Sequence, residues 1–346
     1  MKAVMRRGSG LFCEETPDPV PGEGQALVRS LACGICGSDL HALQLGWGGQ
    51  RAPSSGPPQF VFGHEYCAEV LESNRFKAGT KVVSMPFARG PQGTEIIGYS
   101  PRFPGGFAEK MVLTEELLLE VPNGLPAHVA ALTEPMAVGA HGVARANFGK
   151  DDVAVVIGAG PIGAAVIASL KARGFGPIVA ADFSPARRAL AEKLGAHVVI
   201  DPAKESPYER WSDLGVRPGA FDPLEPVLAG QPQKRAVIFE CVGAPGVLQS
   251  VLTGAAYGAQ VVLLGVCMEM DSLVPALAVT KQVNITTACF YSAEVFERSL
   301  HDLAEGRIDG EALITDRIGL SGVAAAFERL AKPNTDVKII VEPGRA

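Results

Sequence analysis

The chain has 346 residues, 47% hydrophobic and 20% charged, which is enough apolar content for a sizeable core and a length that favours two domains over one. A net charge of −6 offers no electrostatic basis for binding nucleic acid or an anionic membrane, and leaves small molecules as the expected partners. Seven cysteines, an odd number scattered from position 13 to 289, exclude a disulfide scaffold and point to a reducing, cytoplasmic compartment.

The N-terminal stretch MKAVMRRGSGLFCEE is positively charged but lacks the apolar core of a secretory signal. From Met1 to about Pro122, short apolar runs such as KAVMR, QALVRSLA, TKVVSM and FAEKMVL alternate with Gly/Pro clusters, which predicts a mostly β domain. Pro126 is placed to open a helix, and AHVAALTEPMAVGAHGVARAN reads as helical with an interruption near Pro135. After Asp152 the rhythm becomes strand, helix, strand: VAVVI, IGAAVIASLKARG, IVAAD, PARRALAEKLG, HVVI. That alternation predicts βαβ units and a parallel sheet. Between 201 and 234 the pattern lapses into a proline-rich excursion with room for one short helix. It then resumes with RAVIFE, GVLQSVLTGAA and QVVLLG. Helices are expected around Ala293–Glu305 and Ser321–Leu330, and a last strand in VKIIVEP.

VIGAGPIG places Gly158, Gly160 and Gly163 in G-x-G-x-x-G after a strand and at the opening of a helix. Asp182 ends the next strand, 19 residues beyond Gly163. Gly158 then permits the tight turn, Gly160 lets backbone approach a pyrophosphate, and Gly163 brings helix against strand. The helix N-terminus supplies N–H donors to the phosphates. A carboxylate at Asp182 favours the ribose hydroxyls of NAD over the phosphate of NADP, although Arg187 and Arg188 stand close enough to temper that preference. The uncharged run Val153–Leu170 reaches the lower edge of a membrane span, but this turn makes better use of its glycines and proline.

CGICGSDLH and, further on, GHE carry the other chemistry. Cys33 and Cys36 form C-x-x-C, yet the chain has no second C-x-x-C and no H-x-x-x-H, so a four-ligand zinc knuckle is not indicated. The pair also lacks the βαβ context of a redox dithiol. Cys36 with His64 and a downstream acid does supply the donor types of a catalytic zinc site.

GICGSDLH, GHE, EPMAVGAHG and VIGAGPIG in this order resemble the zinc-dependent medium-chain dehydrogenase/reductase family, nearest its polyol, butanediol and threonine dehydrogenase branches. The resemblance implies an α/β architecture in which a Rossmann doubly wound parallel sheet, residues 151–289, is inserted into a β-rich GroES-like catalytic domain, residues 1–150 and 290–346. It implies that Cys36 and His64 hold a catalytic zinc, with Glu65 and Glu134 completing or exchanging the carboxylate side; which of the two is the resting ligand stays open. Ser38 takes the alcohol proton, His41 passes it on, and Asp39 orients a ligand, unless Ser38 and Asp39 are ordinary turn caps. The zinc lowers the pKa of an alcohol so that hydride can pass to nicotinamide.

Coenzyme contacts carried over are the backbone around Gly160, Pro161 and Ile162, then Asp182, Phe183 and Arg187. Nearer the nicotinamide come Cys241, Val242, Leu264, Gly265 and Val266. His141, seven residues after Glu134, shares its helix face only if Pro135 does not break the helix. Trp47, Phe60 and Phe87 are pocket aromatics or core. The stretch 86–106, where many relatives hold a structural zinc on four cysteines, has none, so one catalytic zinc and no structural zinc is expected. The expected protein is therefore an NAD- and zinc-dependent oxidoreductase of a secondary alcohol, diol or polyol and its ketone, a homodimer or homotetramer. Its rivals are a zinc-free NADPH-dependent quinone or enone reductase of the same superfamily, and a non-catalytic nucleotide-binding redox sensor or structural subunit.

Overall fold

In the computed structural model, which describes residues 1–45, 59–90, 93–219, 228–230, 234–332 and 336–345, the chain opens on an antiparallel hairpin of β1 (Lys2–Arg7) and β2 (Gly10–Glu15). β3 (Gln25–Gly34) follows as the spine of the first large sheet. Burial alternates along most of it and becomes continuous at Ala32–Gly34, where neighbours cover both faces. Then come α1 (Gly37–Leu45), β4 (Phe60–Val61), β5 (Glu65–Glu72), β6 (Lys81–Ser84), a hairpin of β7 (Phe87–Gly90) and β8 (Gly93–Ile96), β9 (Lys110–Thr114) and β10 (Leu118–Glu120). β5 and β9 both pair antiparallel with β3, and β6 joins β5 to β10.

The helical segment beyond residue 126 is divided differently from the sequence expectation. Pro126 is the N-cap of α2 (Ala127–Ala130), and the break falls at 131–132, ahead of α3 (Thr133–Arg145). Pro135 is the third residue of α3. In the first turn its missing N–H has no intrahelical acceptor to lose, so it starts the helix instead of interrupting it.

β11 (Val153–Ile157), α4 (Pro161–Ala172), β12 (Ile178–Ala181), α5 (Pro185–Leu194), β13 (Val198–Ile200), β14 (Ala236–Glu240), α6 (Val247–Gly254), β15 (Gln260–Leu263), α7 (Pro275–Thr280) and β16 (Asn284–Thr287) form the second sheet and its helices. Its six strands are all parallel in the order β13-β12-β11-β14-β15-β16, a doubly wound Rossmann arrangement. The described part of the 201–234 excursion, residues 201–219, runs mainly as turns. Its Trp211 is 3% exposed, donates Nε1–H to the carbonyl of Gly254 at 2.8 Å and joins the core of this sheet with Val216. The rest of that excursion, apart from 228–230 and Lys234, lies outside the described residues.

α8 (Ala293–Ala304), β17 (Ile314–Ile318), α9 (Val323–Leu330) and β18 (Lys338–Val341) complete the chain, and β18 returns to pair antiparallel with β3. Two compact units result: Met1–Glu134 with Phe296–Ala346, and Pro135–Val295. The first closes on Val28, Phe62, Tyr66, Phe107, Leu113 and Ile339; the second on Val155, Val179, Ile238, Val251 and Val261. Among the described residues no helix is long and apolar enough to cross a membrane, and the run Val153–Leu170 divides into β11 and most of α4.

Candidate active site

The register of three strands assembles the expected metal donors. β3 and β5 pair with Gly34 opposite Glu65 and Cys33 opposite Tyr66, so the turn that leaves β3 at Cys36 lies beside His64 and Glu65, where β5 begins. One ligand atom from each of Cys36, His64 and Glu65 lies within 4.8 Å of the others. On the other side of β3, β18 sets Ile340 opposite Gly34, and the same register carries Lys338 toward the Cys36 turn. Lys338 Nζ reaches Glu65 at 2.8 and 2.7 Å and donates to the carbonyl of Ile35 at 3.0 Å. Gly34 makes that contact possible, because a Cβ there would stand 2.0 Å from Glu65 Oε2.

Cys36 immediately precedes α1, and Asp39 at the helix's third position accepts the backbone N–H of Cys36 at 3.0 Å through Oδ2, the reach-back of a capping box. The turn-cap reading of Asp39 is therefore correct, but incomplete. Its Oδ1 accepts the Tyr99 hydroxyl at 2.9 Å and lies 3.3 Å from His64 Nδ1, in ion-pair reach though off the line of a hydrogen bond. Burial works against the His64 imidazolium, but the nearby charge of Asp39, with Cys36 beside it, outweighs burial and holds it well above the usual histidine range. Burial likewise opposes the Lys338 ammonium, and the Glu65 and Cys36 charges reverse that and raise it. Cys33 is different: burial, then Asp39 and Glu65, push its thiol well up, and its Sγ fills the space beside Gly63 and Gly106. It is a packed neutral thiol.

Cysteine, histidine and glutamate side by side, with buried Asp39 and Lys338 against them, are the donor types that zinc prefers. Glu134, at the start of α3, stands outside this group of three; it is 9% exposed, and its charge reaches Lys338 and Tyr66. Ser38 follows Cys36 by two residues and sits 2.8 Å from the Tyr99 hydroxyl, while His41 is exposed one turn along α1. Phe60 is buried and meets Phe62 and Tyr99 edge-on, Phe87 lies on β7, and Trp47 lies outside the described residues. Sequence reasoning missed Tyr99 and Lys338. Tyr99 lies in the cysteine-free stretch after β8, where Ile97 and Phe103 pack and Glu95 bonds Ser100 and Arg102. The one signal for Lys338 was a lysine inside an apolar strand.

In the second unit the residues expected to contact a coenzyme gather at the C-terminal ends of β11, β12, β14 and β15, the edge at which such sheets bind ligands. Gly158 turns at φ 84°, and a Cβ on Gly163 would meet the Gly158 carbonyl oxygen at 1.8 Å. Gly160 caps α4 with Pro161 and Ile162 after it, and a Cβ on Gly160 would meet only the Arg187 guanidinium, at 3.6 Å. Asp182 accepts the N–H of Ala159 at 2.8 Å and of Ser184 at 2.7 Å, with Arg187 Nη1 4.0 Å away and Phe183 71% exposed beside it. Arg188 is turned elsewhere, to Asp201 and the carbonyls of Asp182 and Phe183. The loops 241–243 and 264–266 touch: Leu264 and Gly265 donate to the carbonyl of Glu240, whose carboxylate holds the N–H groups of Val242 and Gly243. Cys241 is a thiol raised by burial and by Glu240, while Val242 and Val266 are exposed. α3 is unbroken, so His141 does lie on the helix that begins near Glu134; burial and then Arg145 lower its pKa.

Comparison with known proteins agrees with this arrangement. Residues 161–305 match the family model described as zinc-binding dehydrogenase, and residues 22–123 that of the alcohol dehydrogenase GroES-like domain. The chain is 30% identical over 350 residues to the (R,R)-butanediol dehydrogenase of Bacillus subtilis (strain 168), covering 95% of this chain and 96% of that protein. It is 27% identical to the sorbitol dehydrogenase of the same organism, over 99% and 97% of the two chains. The crystal structure of 2R,3R-butanediol dehydrogenase from Bacillus subtilis matches with a TM-score of 0.83 at 28% identity, over 99% of each chain. The chain belongs to the zinc-binding, medium-chain alcohol dehydrogenase family. Its activity is that of an oxidoreductase on the CH–OH group of a small-molecule alcohol, with zinc and a nicotinamide coenzyme.

Proposed function

We propose that the chain interconverts a secondary alcohol, diol or polyol and its ketone with NAD, using one zinc held by Cys36, His64 and a carboxylate. The observation that carries this reading is the convergence of the Cys36, His64 and Glu65 donors within 4.8 Å, on a chain whose relatives include butanediol and sorbitol dehydrogenases. Zinc bound there supplies the Lewis acidity that makes an alcohol hydroxyl acidic near neutral pH. Ser38 receives the alcohol proton and His41 carries it outward. Asp39 holds the His64 ring through Nδ1. Glu65 is engaged by Lys338 through both oxygens, which supports Glu134 as the carboxylate that exchanges with it.

Preference for NAD rests on Asp182, whose charge faces the adenosine end with Arg187 at 4.0 Å. Backbone N–H groups at Gly160, Pro161 and Ile162 and the loops at 241–242 and 264–266 complete the coenzyme contacts. The absence of cysteine between residues 86 and 106 supports a single zinc per chain. The unpaired state of all seven cysteines supports a cytoplasmic location. A homo-oligomer is supported by β16, an edge strand that carries exposed Ile285, and by the exposed apolar residues Met270, Val274, Val279 and Phe290 in the chain on either side of it.

The deciding experiment oxidises a panel of secondary alcohols, diols and sugar alcohols with NAD and with NADP, beside elemental analysis of the purified protein. The expected result is turnover of at least one vicinal diol or polyol with NAD preferred by about tenfold or more, and zinc present. Quinone or enone reduction with NADPH by zinc-free protein would overturn it, as would tight NADH binding with no turnover on any alcohol.

A further inference from the structure

We infer that Tyr99 is a positioning residue that sets the direction of the Ser38 hydroxyl; the inference rests on the reading of Ser38 as the acceptor of the alcohol proton. Three hydrogen-bonding facts fix the arrangement. Tyr99 donates to Asp39 Oδ1 at 2.9 Å, its oxygen lies 2.8 Å from Ser38 Oγ, and Asp39 Oδ2 is anchored by the backbone N–H of Cys36 at 3.0 Å. A phenol has one proton. A carboxylate competes for it better than a neutral hydroxyl, because charge-assisted bonds are roughly twice as strong. Asp39 is fully buried and tied at both oxygens, so it does not turn away. With its proton committed to Asp39, Tyr99 meets Ser38 as an acceptor. The Ser38 O–H therefore points at Tyr99, and the serine oxygen keeps its lone pairs for an incoming O–H.

The ring is held as firmly as the hydroxyl. Its centroid lies 5.3 Å from that of His64, 5.9 Å from Phe62 and 6.3 Å from Phe60. A serine hydroxyl alone rotates among three staggered positions; one bonded to a wedged tyrosine rests in one of them, with its lone pairs already turned to the incoming O–H. In the transfer itself the alcohol O–H bond breaks as a proton reaches Ser38 Oγ. As the new bond to Oγ forms, the O–H that faced Tyr99 swings away and gives up its proton toward His41, so Ser38 stays neutral, one proton arrives as one leaves, and no co-reactant is needed.

The test compares Tyr99→Phe, Ser38→Ala and the double variant. Y99F keeps the ring contacts and removes only the hydroxyl. Its kcat should fall about tenfold, a part of what a positioned acid–base group contributes, and its solvent deuterium isotope effect should rise as proton transfer becomes limiting. KM for the alcohol, NADH affinity and zinc content should each stay within about twofold of wild type, since the hydroxyl is assigned to none of them. In S38A the Y99F change should have no further effect on kcat. In metal-stripped protein the thermal midpoints of S38A and Y99F should fall short of additivity, because both remove the same hydrogen bond. A Y99F enzyme with wild-type kcat and isotope effect beside a crippled S38A overturns the proposal alone. Additive losses in kcat or in thermal midpoint overturn it too. S38A with wild-type turnover overturns the reading of Ser38 and the inference with it.

Discussion

The two units build their sites in opposite ways. In the second, most of the proposed coenzyme edge comes from one contiguous turn, Gly158–Gly163, and the end of the next strand at Asp182, and its main requirements are absences: no side chain at Gly163 and none blocking Gly160. In the first, the donors and their supports come from four separated segments, around Cys36, His64, Tyr99 and Lys338, joined by buried charges. Backbone N–H groups tolerate local error, because any chain in that conformation presents them. Buried charges do not, because each must find its counter-charge or cost several kcal/mol. The coenzyme edge should therefore be robust to substitution except at its glycines, and the metal site fragile at many positions.

The sharpest way to separate the two is Cys36→Ser. Zinc measured by elemental analysis should fall to a small fraction of the wild-type content, and alcohol oxidation by about 10³-fold or more. NADH affinity, followed by fluorescence titration, should stay within about twofold, because the coenzyme contacts named above belong to the other unit. Loss of both together would erase the distinction between the units.

Lys338→Met should come next, leaving the Glu65 carboxylate buried without its partner at a cost of about 3–5 kcal/mol, read by denaturant unfolding. Adding Glu65→Leu should recover most of that loss, since a matched apolar pair removes the stranded charge. The pH dependence has a defined sign. The Lys338 pKa is raised on folding, so its stabilisation is complete below the unfolded amine value of about 10.4 and is lost as pH rises through the higher folded value. Wild type should thus lose stability at strongly alkaline pH by a step that Lys338→Met lacks.

On the coenzyme side, Gly163→Ala pushes a methyl toward the Gly158 carbonyl oxygen, 1.8 Å away before relaxation. The strain of about 1–3 kcal/mol should appear as roughly 10–100-fold weaker NADH binding with zinc content unchanged. The smallest effect concerns thiols. At pH 8, iodoacetamide should label the exposed Cys13 and Cys289 within the time that buried Cys33 and Cys67 remain unmodified. Burial raises both buried thiols, Cys67 to about 12, and a neutral thiol is a poor nucleophile. Mass spectrometry of the native protein reads this directly, and early labelling of Cys33 would contradict its packing between Gly63 and Gly106.

How much of this was legible in the sequence follows the same division. VAVVI, PARRALAEKLG and QVVLLG fall within a residue or two of β11, α5 and β15, because a doubly wound sheet buries its strands on both faces and writes that as continuous apolar runs. β16 was not legible: NITT is an edge strand with little apolar pattern. α1 escaped too, since GSDLHALQL has no marked apolar face and owes its start to Asp39 reaching back to Cys36. Pro135 misled because a proline that starts a helix looks, in sequence, like one that ends it.

The sequence by itself determined the class of chemistry: a glycine turn with an acid after the next strand, and a cysteine, a histidine and acids of the types zinc prefers. These are local matters of residue type and spacing, which a one-dimensional chain records. Only the tertiary structure decided that Lys338, 273 residues beyond Glu65, neutralises it across Gly34, and that Tyr99 joins Ser38 to Asp39. Such partners are chosen by strand register and by the need of each buried charge for an answering one, and register is set by the packing of the whole sheet.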